Sequence, residues 1–197
     1  ALLQTVVDDS EQRDPLTGPN YTLAVYRPLL DACRRYMLAE VAKDTPSPIL
    51  LDLLRRGKML RALLVFLGCQ AAGGDPQQVM MAAAGIELVH AASLIHDDLM
   101  DQAASRRGLP AVHVQLGPDR AITCGDYLIA KSFRLLAESR STCAPADVVR
   151  AFVIGAESGI RTCTGQFYDV QTPTADTLAE PVYQHTVIEK TSAAIGG

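Results

Sequence analysis

Apolar residues recur along most of this chain at intervals of three and four, the spacing that gathers them on one face of an α-helix. Leu23, Tyr26, Leu30, Cys33, Met37 and Val41 follow that rhythm and predict a first helix from Thr22 to Lys43. Thr45-Pro46-Ser47-Pro48 ends it, because proline lacks an amide donor and restricts the residue before it. A short helix from Ile49 to Arg55 leads to Gly57, and the pattern resumes from Lys58 to Ala72 until Gly73-Gly74 stops it. Asp75-Pro76 pairs an N-cap acceptor with a first-turn proline and predicts a central helix from residue 76 to about 102. Gly117-Pro118 opens another, through Ala121, Ile122, Tyr127, Leu128 and Leu135 to Ser139, and Pro145 with Asp147 opens one ending near Tyr168. A loose lead-in over 1–20, a Thr/Pro-rich connection over 171–181 and a segment from Val182 to Ile195 complete the pattern. No run alternates with period two for long enough to predict a strand. The expectation is all-α, a helical bundle forming one domain over residues 1–197.

Composition narrows this. Hydrophobic residues make up 48% of the chain but aromatics only 5%, with no Trp, so the core must be Leu, Val, Ile and Ala, which suits helices. The net charge of −4 and the dispersal of basic residues in short pairs argue against a nucleic-acid surface. Five cysteines, at 33, 69, 124, 143 and 163, are odd in number and form no CxxC, which predicts neither a disulfide framework nor a zinc site and points to a cytoplasmic setting. The first residues, ALLQTVVDDSEQR, do not have the form of a signal peptide. The most apolar stretches, Ala62 to Ala72 and Met80 to Ile95, read as too short to span a membrane, the second interrupted by Glu87 and His90.

The chemistry concentrates in GIELVHAASLIHDDLMDQAASRRG, residues 85–108. Asp97, Asp98 and Asp101 fall at the end of an apolar helical run, where the helix terminus already carries about half a negative charge. Asp97 and Asp101 are four apart and share a face with Ser93 and His90 below them. Carboxylates ~5.5 Å apart repel by about 3 kcal/mol at an effective dielectric near 20, so something cationic between them is the economical arrangement. Oxygen-only ligands suit a hard cation, Mg²⁺ in particular when substrate phosphates and waters complete its shell. The competing reading is a solvated acidic helix end. Two basic clusters flank this feature. Lys58 and Arg61, in Gly57-Lys58-Met59-Leu60-Arg61, read as two cations three apart on one helical face after a turn-opening glycine, or as a solvated basic edge. Arg106-Arg107-Gly108 offers paired guanidinium forks for phosphate oxygens. One metal-gathering face and two cationic patches are what a site for two diphosphates needs.

GKMLR (57–61), DDLMD (97–101), RRG (106–108), GDYLIAKSF (125–133), GQFYD (165–169) and Lys190-Thr191 occur in the order and approximate spacing of the trans-isoprenyl diphosphate synthases. From about residue 22 onward the chain resembles a polyprenyl synthetase of the geranylgeranyl diphosphate synthase kind. The resemblance implies an isoprenoid-synthase bundle with a deep central cavity, a homodimer, and head-to-tail condensation of an allylic diphosphate with isopentenyl diphosphate. It implies Mg²⁺ held by Asp97 and Asp101 with Asp98 in support. Lys58, Arg61, His90 and Arg107 resemble the isopentenyl diphosphate ligands and Arg106 the allylic diphosphate ligand; a core histidine is the other reading of His90. Lys190 resembles the lysine on the allylic diphosphate and Thr191 its neighbour facing the cation. Gln166 and Asp169 resemble a polar pair lining the cavity, or are plain helix-surface residues. Ala92 and Ser93 leave the wall beneath Asp97 without bulk, implying a product of twenty carbons or more such as geranylgeranyl diphosphate, unless they are simply small packing residues.

The second Asp-rich motif of the family, downstream of the Lys-Thr pair, is not in the sequence. The expectation is that residues 1–197 are part of a longer enzyme, or else a subunit that completes its site with a partner. A class I terpene cyclase would share the acidic helix but has no use for a second diphosphate site.

Overall fold

The computed structural model describes residues 19–45 and 47–171, with the backbone alone at 19–23 and 168–171. Seven helices account for most of them: α1 (Pro19–Ala42), α2 (Pro48–Arg55), α3 (Leu60–Ala71), α4 (Met80–Met100), α5 (Val112–Leu116), α6 (Pro118–Glu138) and α7 (Pro145–Gln171). The all-α expectation holds. The chain divides into two compact units, one ending at Leu135 and the other beginning at Leu136. The readings for residues 1–18, 172–181 and 182–195 lie outside the described residues.

In the first unit α4 is the central element. Ala83, Ala84, Leu88 and Ala92 are fully buried, meeting Cys33, Met37 and Val41 of α1, Leu50 and Leu54 of α2, Ala62 and Phe66 of α3, and Leu128 and Leu135 of α6. Burying one such leucine is worth about 2 kcal/mol relative to leaving it in water. Small residues on α4 let its neighbours approach closely: a Cβ on Gly85 would stand only 3.2 Å from the Ser132 carbonyl of α6. The helical run Pro76–Met100 is, by length and apolar character, long enough to cross a membrane, contrary to the shorter span read from sequence. Its burial among α1, α3 and α6 accounts for that composition as a core helix.

GDYLIAKSF supplies the clamp between α6 and the end of α1. Tyr127 and Lys131, one turn apart, both reach Asp44: Lys131 Nζ donates to its two carboxylate oxygens at 2.9 and 3.1 Å. Tyr127 donates to Asp44 and to the Val41 carbonyl, the latter at 3.2 Å. Lys131 is 4% exposed, and that carboxylate offsets the cost of burying its ammonium. Bonds from Tyr127 and Lys131 hold the Asp44 carboxyl below its usual range, while burial and then Asp44 push the Tyr127 phenol up.

Four local expectations are corrected. Helix α3 begins at Leu60, because Met59 is left-handed (φ 56°, ψ 30°) with its side chain fully buried; Lys58 therefore precedes the helix and shares no helical face with Arg61. Asp75 does cap, accepting from the Gln77 amide at 2.9 Å, but what it opens is a 3₁₀ turn at Pro76–Val79, with α-helix only from Met80. Helix α4 ends at Met100, and Gln102 turns left-handed. After it comes a hairpin the sequence reading missed, β1 (Ser105–Arg106) paired antiparallel with β2 (Leu109–Pro110), then the short α5.

The second unit's described part is the 3₁₀ turn Ser139–Ser141 and α7. Pro145 and Asp147 start α7 as expected, and it runs to Gln171, past the predicted end near Tyr168.

Candidate functional site

The end of α4 separates its three carboxylates into two roles. The Asp101 amide donates to the Asp97 carbonyl at 2.8 Å, so helical register carries through and Asp97 and Asp101 share one face. Asp98, rotated about 100° from Asp97 around the helix, is 3% exposed and is taken by Arg106. Arg106 Nε donates to both Asp98 oxygens at 2.7 Å and Nη2 lies 2.6 Å from Oδ1. That pairing outweighs partial burial, which acts the other way, and pushes the Arg106 guanidinium's pKa up, fixing the cation.

Arg106 can reach back because the hairpin reverses the chain. Arg107 and Gly108 are its two turn residues, with φ of 53° and 77°, the left-handed pair that a type I′ turn requires. Glycine adopts this freely; arginine does not, so Arg107 carries local strain. The turn sends Arg107 to the loop between α2 and α3: a Cβ on Gly57 would lie 3.7 Å from Arg107 Nη1 and 3.2 Å from the Leu54 carbonyl. Glycine at 57 thus leaves room for the guanidinium, and the two basic motifs, fifty residues apart, meet.

The loop is held from below by a residue sequence reasoning did not single out. Arg34 of α1 donates through Nη2 to the Gly57 carbonyl at 2.9 Å and through Nη1 to the Arg55 carbonyl at 3.3 Å. Glu87, also missed, is 6% exposed in α4 and accepts from the Ala62 amide at 3.0 Å. Met59 offers no side-chain cap to α3, so Glu87 supplies it from another helix, and its charge lies in the field of Arg61. Burial pulls the Arg61 guanidinium's pKa down, Glu87 opposing.

Gly57, Met59, Glu87, His90 and Arg107 line one cleft. His90 is half-buried there, and its pKa is lowered to about 4, first by burial and then by Arg61, Arg107 and Arg106. A neutral imidazole facing three guanidinium groups marks a place where an anion would be welcome. Ser93 Oγ donates to the His90 carbonyl at 2.9 Å, and Ala92 is fully buried. His96 Nε2 sits 3.3 Å from the Ile122 carbonyl, over Gly125, whose absent side chain makes the space.

The polyprenyl synthetase family profile matches residues 47–196. This chain belongs to the polyprenyl synthetase family. It is similar to the geranylgeranyl pyrophosphate synthase of Geoglobus acetivorans, 39% identical over 140 residues, 71% of this chain and 43% of that protein. It is similar also to the short chain isoprenyl diphosphate synthase of Methanothermobacter thermautotrophicus, 35% identical over 178 residues, 85% of this chain and 54% of that one. The solved geranylgeranyl pyrophosphate synthetase of Geoglobus acetivorans superposes with a TM-score of 0.78 at 31% identity, covering 87% of this chain and 57% of its own. The Pyrococcus horikoshii enzyme gives 0.79 at 29% identity, covering 88% and 54%. The chain spans about half the length of the curated relatives it matches.

Of the residues the polyprenyl synthetase resemblance implicates, the first unit brings together Arg61, His90, Asp97, Asp98, Asp101, Arg106 and Arg107, with Lys58 exposed in the loop against which Arg107 packs. Gln166 is half-buried in α7 and Asp169 lies on the same helix, both in the second unit. Lys190 and Thr191 lie outside the described residues. Among the described residues no three His, Cys, Asp or Glu side chains gather as a metal cage. Asp97 and Asp101 alone still fit a hard cation that takes one or two carboxylates and leaves its other positions to water and phosphate.

Proposed function

We propose that the whole protein is a trans-prenyltransferase that condenses an allylic diphosphate with isopentenyl diphosphate, head to tail, giving a product of twenty carbons or more such as geranylgeranyl diphosphate. The observation that carries this is the meeting of Arg107 with the Gly57–Lys58 loop beside His90, while Arg107 also lines a second cleft with Arg106 and Asp98 of the acidic end of α4. Arg107 meets the Gly57–Lys58 loop while Arg106 is pinned by Asp98, an arrangement that suits two diphosphates.

In this reading Lys58, Arg61, His90 and Arg107 hold isopentenyl diphosphate, and Arg106, fixed by Asp98, meets the allylic diphosphate, the substrate to which the family resemblance also assigns Lys190 and Thr191. Asp97 and Asp101 would hold Mg²⁺, whose charge lets the allylic C–O bond break heterolytically with diphosphate as the leaving group. The double bond of isopentenyl diphosphate attacks the allylic carbon, a carbon–carbon bond forms, and a proton is lost to the departing diphosphate. The side chains orient and balance charge; none is a nucleophile. The protein acts in the cytoplasm as a homodimer, and the relatives' greater length leaves room for the second Asp-rich motif in the complete enzyme.

The test is to incubate the intact protein with isopentenyl diphosphate, a series of allylic diphosphates and Mg²⁺, and to size the products. Elongation by five-carbon steps supports the reading. Release of a cyclic hydrocarbon without consumption of isopentenyl diphosphate would replace it with a terpene cyclase.

A further inference from the structure

Arg34 fixes the Gly57–Met59 loop from α1 with two directed hydrogen bonds to backbone. Its Nη2 binds the Gly57 carbonyl at 2.9 Å and its Nη1 the Arg55 carbonyl at 3.3 Å, so the guanidinium also caps the carbonyl end of α2, where a cation is favoured. Its Nε is buried with no hydrogen-bond partner among the described residues. The loop it grips has little else to define it. Gly57 donates to the Leu54 carbonyl at 3.1 Å, and Met59 is anchored by burial in a left-handed conformation. Lys58 stands between these two points, exposed, with Arg107 packed against Gly57.

We infer that Arg34 is a positioning residue for the isopentenyl diphosphate half-site: by gripping the Arg55 and Gly57 carbonyls it holds the loop that carries Lys58 against Arg107. Arg34 touches no substrate. It converts the packing of α1 into the placement of a loop that the hydrophobic pattern leaves undefined, and a guanidinium is needed because two carbonyls must be met by one planar fork. The inference rests on the function proposed above.

The experiment compares Arg34→Met and Arg34→Lys with the unaltered protein, intact. Steady-state kinetics vary each substrate separately, and amide hydrogen exchange is followed across residues 55–59. Arg34→Met is expected to speed exchange in that segment and to raise the KM for isopentenyl diphosphate about tenfold, the effect of losing hydrogen bonds from a charged donor. The KM for the allylic substrate and kcat stay unchanged. Arg34→Lys, which can still meet one carbonyl, falls between. Unaltered exchange at 55–59, or equal shifts in both KM values, overturns the inference. Failure of the unaltered protein to consume isopentenyl diphosphate would instead remove the proposed function, and the exchange comparison would still decide whether Arg34 holds the loop.

Discussion

Asp98 and Arg106 form the shortest well-aligned charge pair at the end of α4, with three contacts of 2.6–2.7 Å and an Asp98 side chain only 4% exposed. This divides the acidic motif into parts that mutagenesis can separate. Removing Asp98 leaves Arg106, 31% exposed, without its partner; water reaches that cation, so the cost falls below the roughly 3 kcal/mol of a fully buried pair. Asp98→Ala should therefore lower Tm and raise the KM for the allylic diphosphate. Asp97→Ala and Asp101→Ala should raise steeply the Mg²⁺ concentration needed for half-maximal activity and lower Tm less than Asp98→Ala does. Thermal melts and Mg²⁺ titrations of the three variants check this, and equal destabilisation by all three would refute the division.

The three carboxylates look alike in the sequence, yet one detail was available there: Asp98 lies off the face that Asp97 and Asp101 share. The helices themselves were legible because a 3.6-residue repeat sustained over twenty residues admits few other readings. The hairpin was not, since strands of two residues show no alternation and arginine at the first turn position is an unusual choice. Glu87 and Arg34 were invisible for a different reason. Each acts on backbone groups more than twenty positions away, and nothing local in the chain announces a cap supplied by another helix.

Strain at Arg107 gives a test in which stability and function move apart. Its left-handed backbone costs an L-residue roughly 1 kcal/mol that glycine does not pay. Arg107→Gly should match or exceed the unaltered protein in Tm, whereas Arg107→Ala retains the strain and should melt lower than Arg107→Gly. Both lose the guanidinium beside Gly57, so both should show a raised KM for isopentenyl diphosphate. If Arg107→Gly lost stability as well, the arginine would be there for packing.

His90 supplies a pH dependence of known sign. Its pKa in the fold is about 4, against an ordinary 6.5, so between those values the unfolded chain binds more protons than the folded one. Stability must then fall as pH drops through that window and be unaffected by this residue above it. His90→Gln should flatten the Tm-versus-pH curve between about 4 and 6.5, and the difference between the two curves isolates the contribution of His90 from that of the carboxylates. Parallel curves would show that neither burial nor the three arginines shifts this imidazole.

The contact between His96 and Gly125 can be checked by a double substitution. A Cβ on Gly125 would lie 2.1 Å from His96 Nε2 and 2.6 Å from its Cδ2, so the ring must swing away from the Ile122 carbonyl. Gly125→Ala should cost about 1–3 kcal/mol as an overpacking change. Adding His96→Ala should recover most of it, because the obstacle and the displaced ring are the same pair. Additive losses in a thermal or denaturant cycle would place the cause in the α4–α6 backbone contact, where Gly85 meets Ser132, rather than in the ring.

Product length can be probed at two neighbouring positions that the structure makes unequal. Ala92 is fully buried among core residues, so Ala92→Phe should destabilise by about 1–3 kcal/mol through overpacking. Shorter products from that variant would be hard to separate from a distorted α4. Ser93 is half-buried, one turn beneath Asp97, with its hydroxyl satisfied by the His90 carbonyl. A larger ring there can grow outward into space that a lengthening chain would occupy, at the loss of one hydrogen bond worth about 1 kcal/mol. Ser93→Phe in the intact protein should therefore melt near the unaltered enzyme and shift the product distribution to fewer five-carbon units, read by sizing the dephosphorylated alcohols. An unchanged distribution from a stable Ser93→Phe protein would mean that the growing chain does not pass this face of α4.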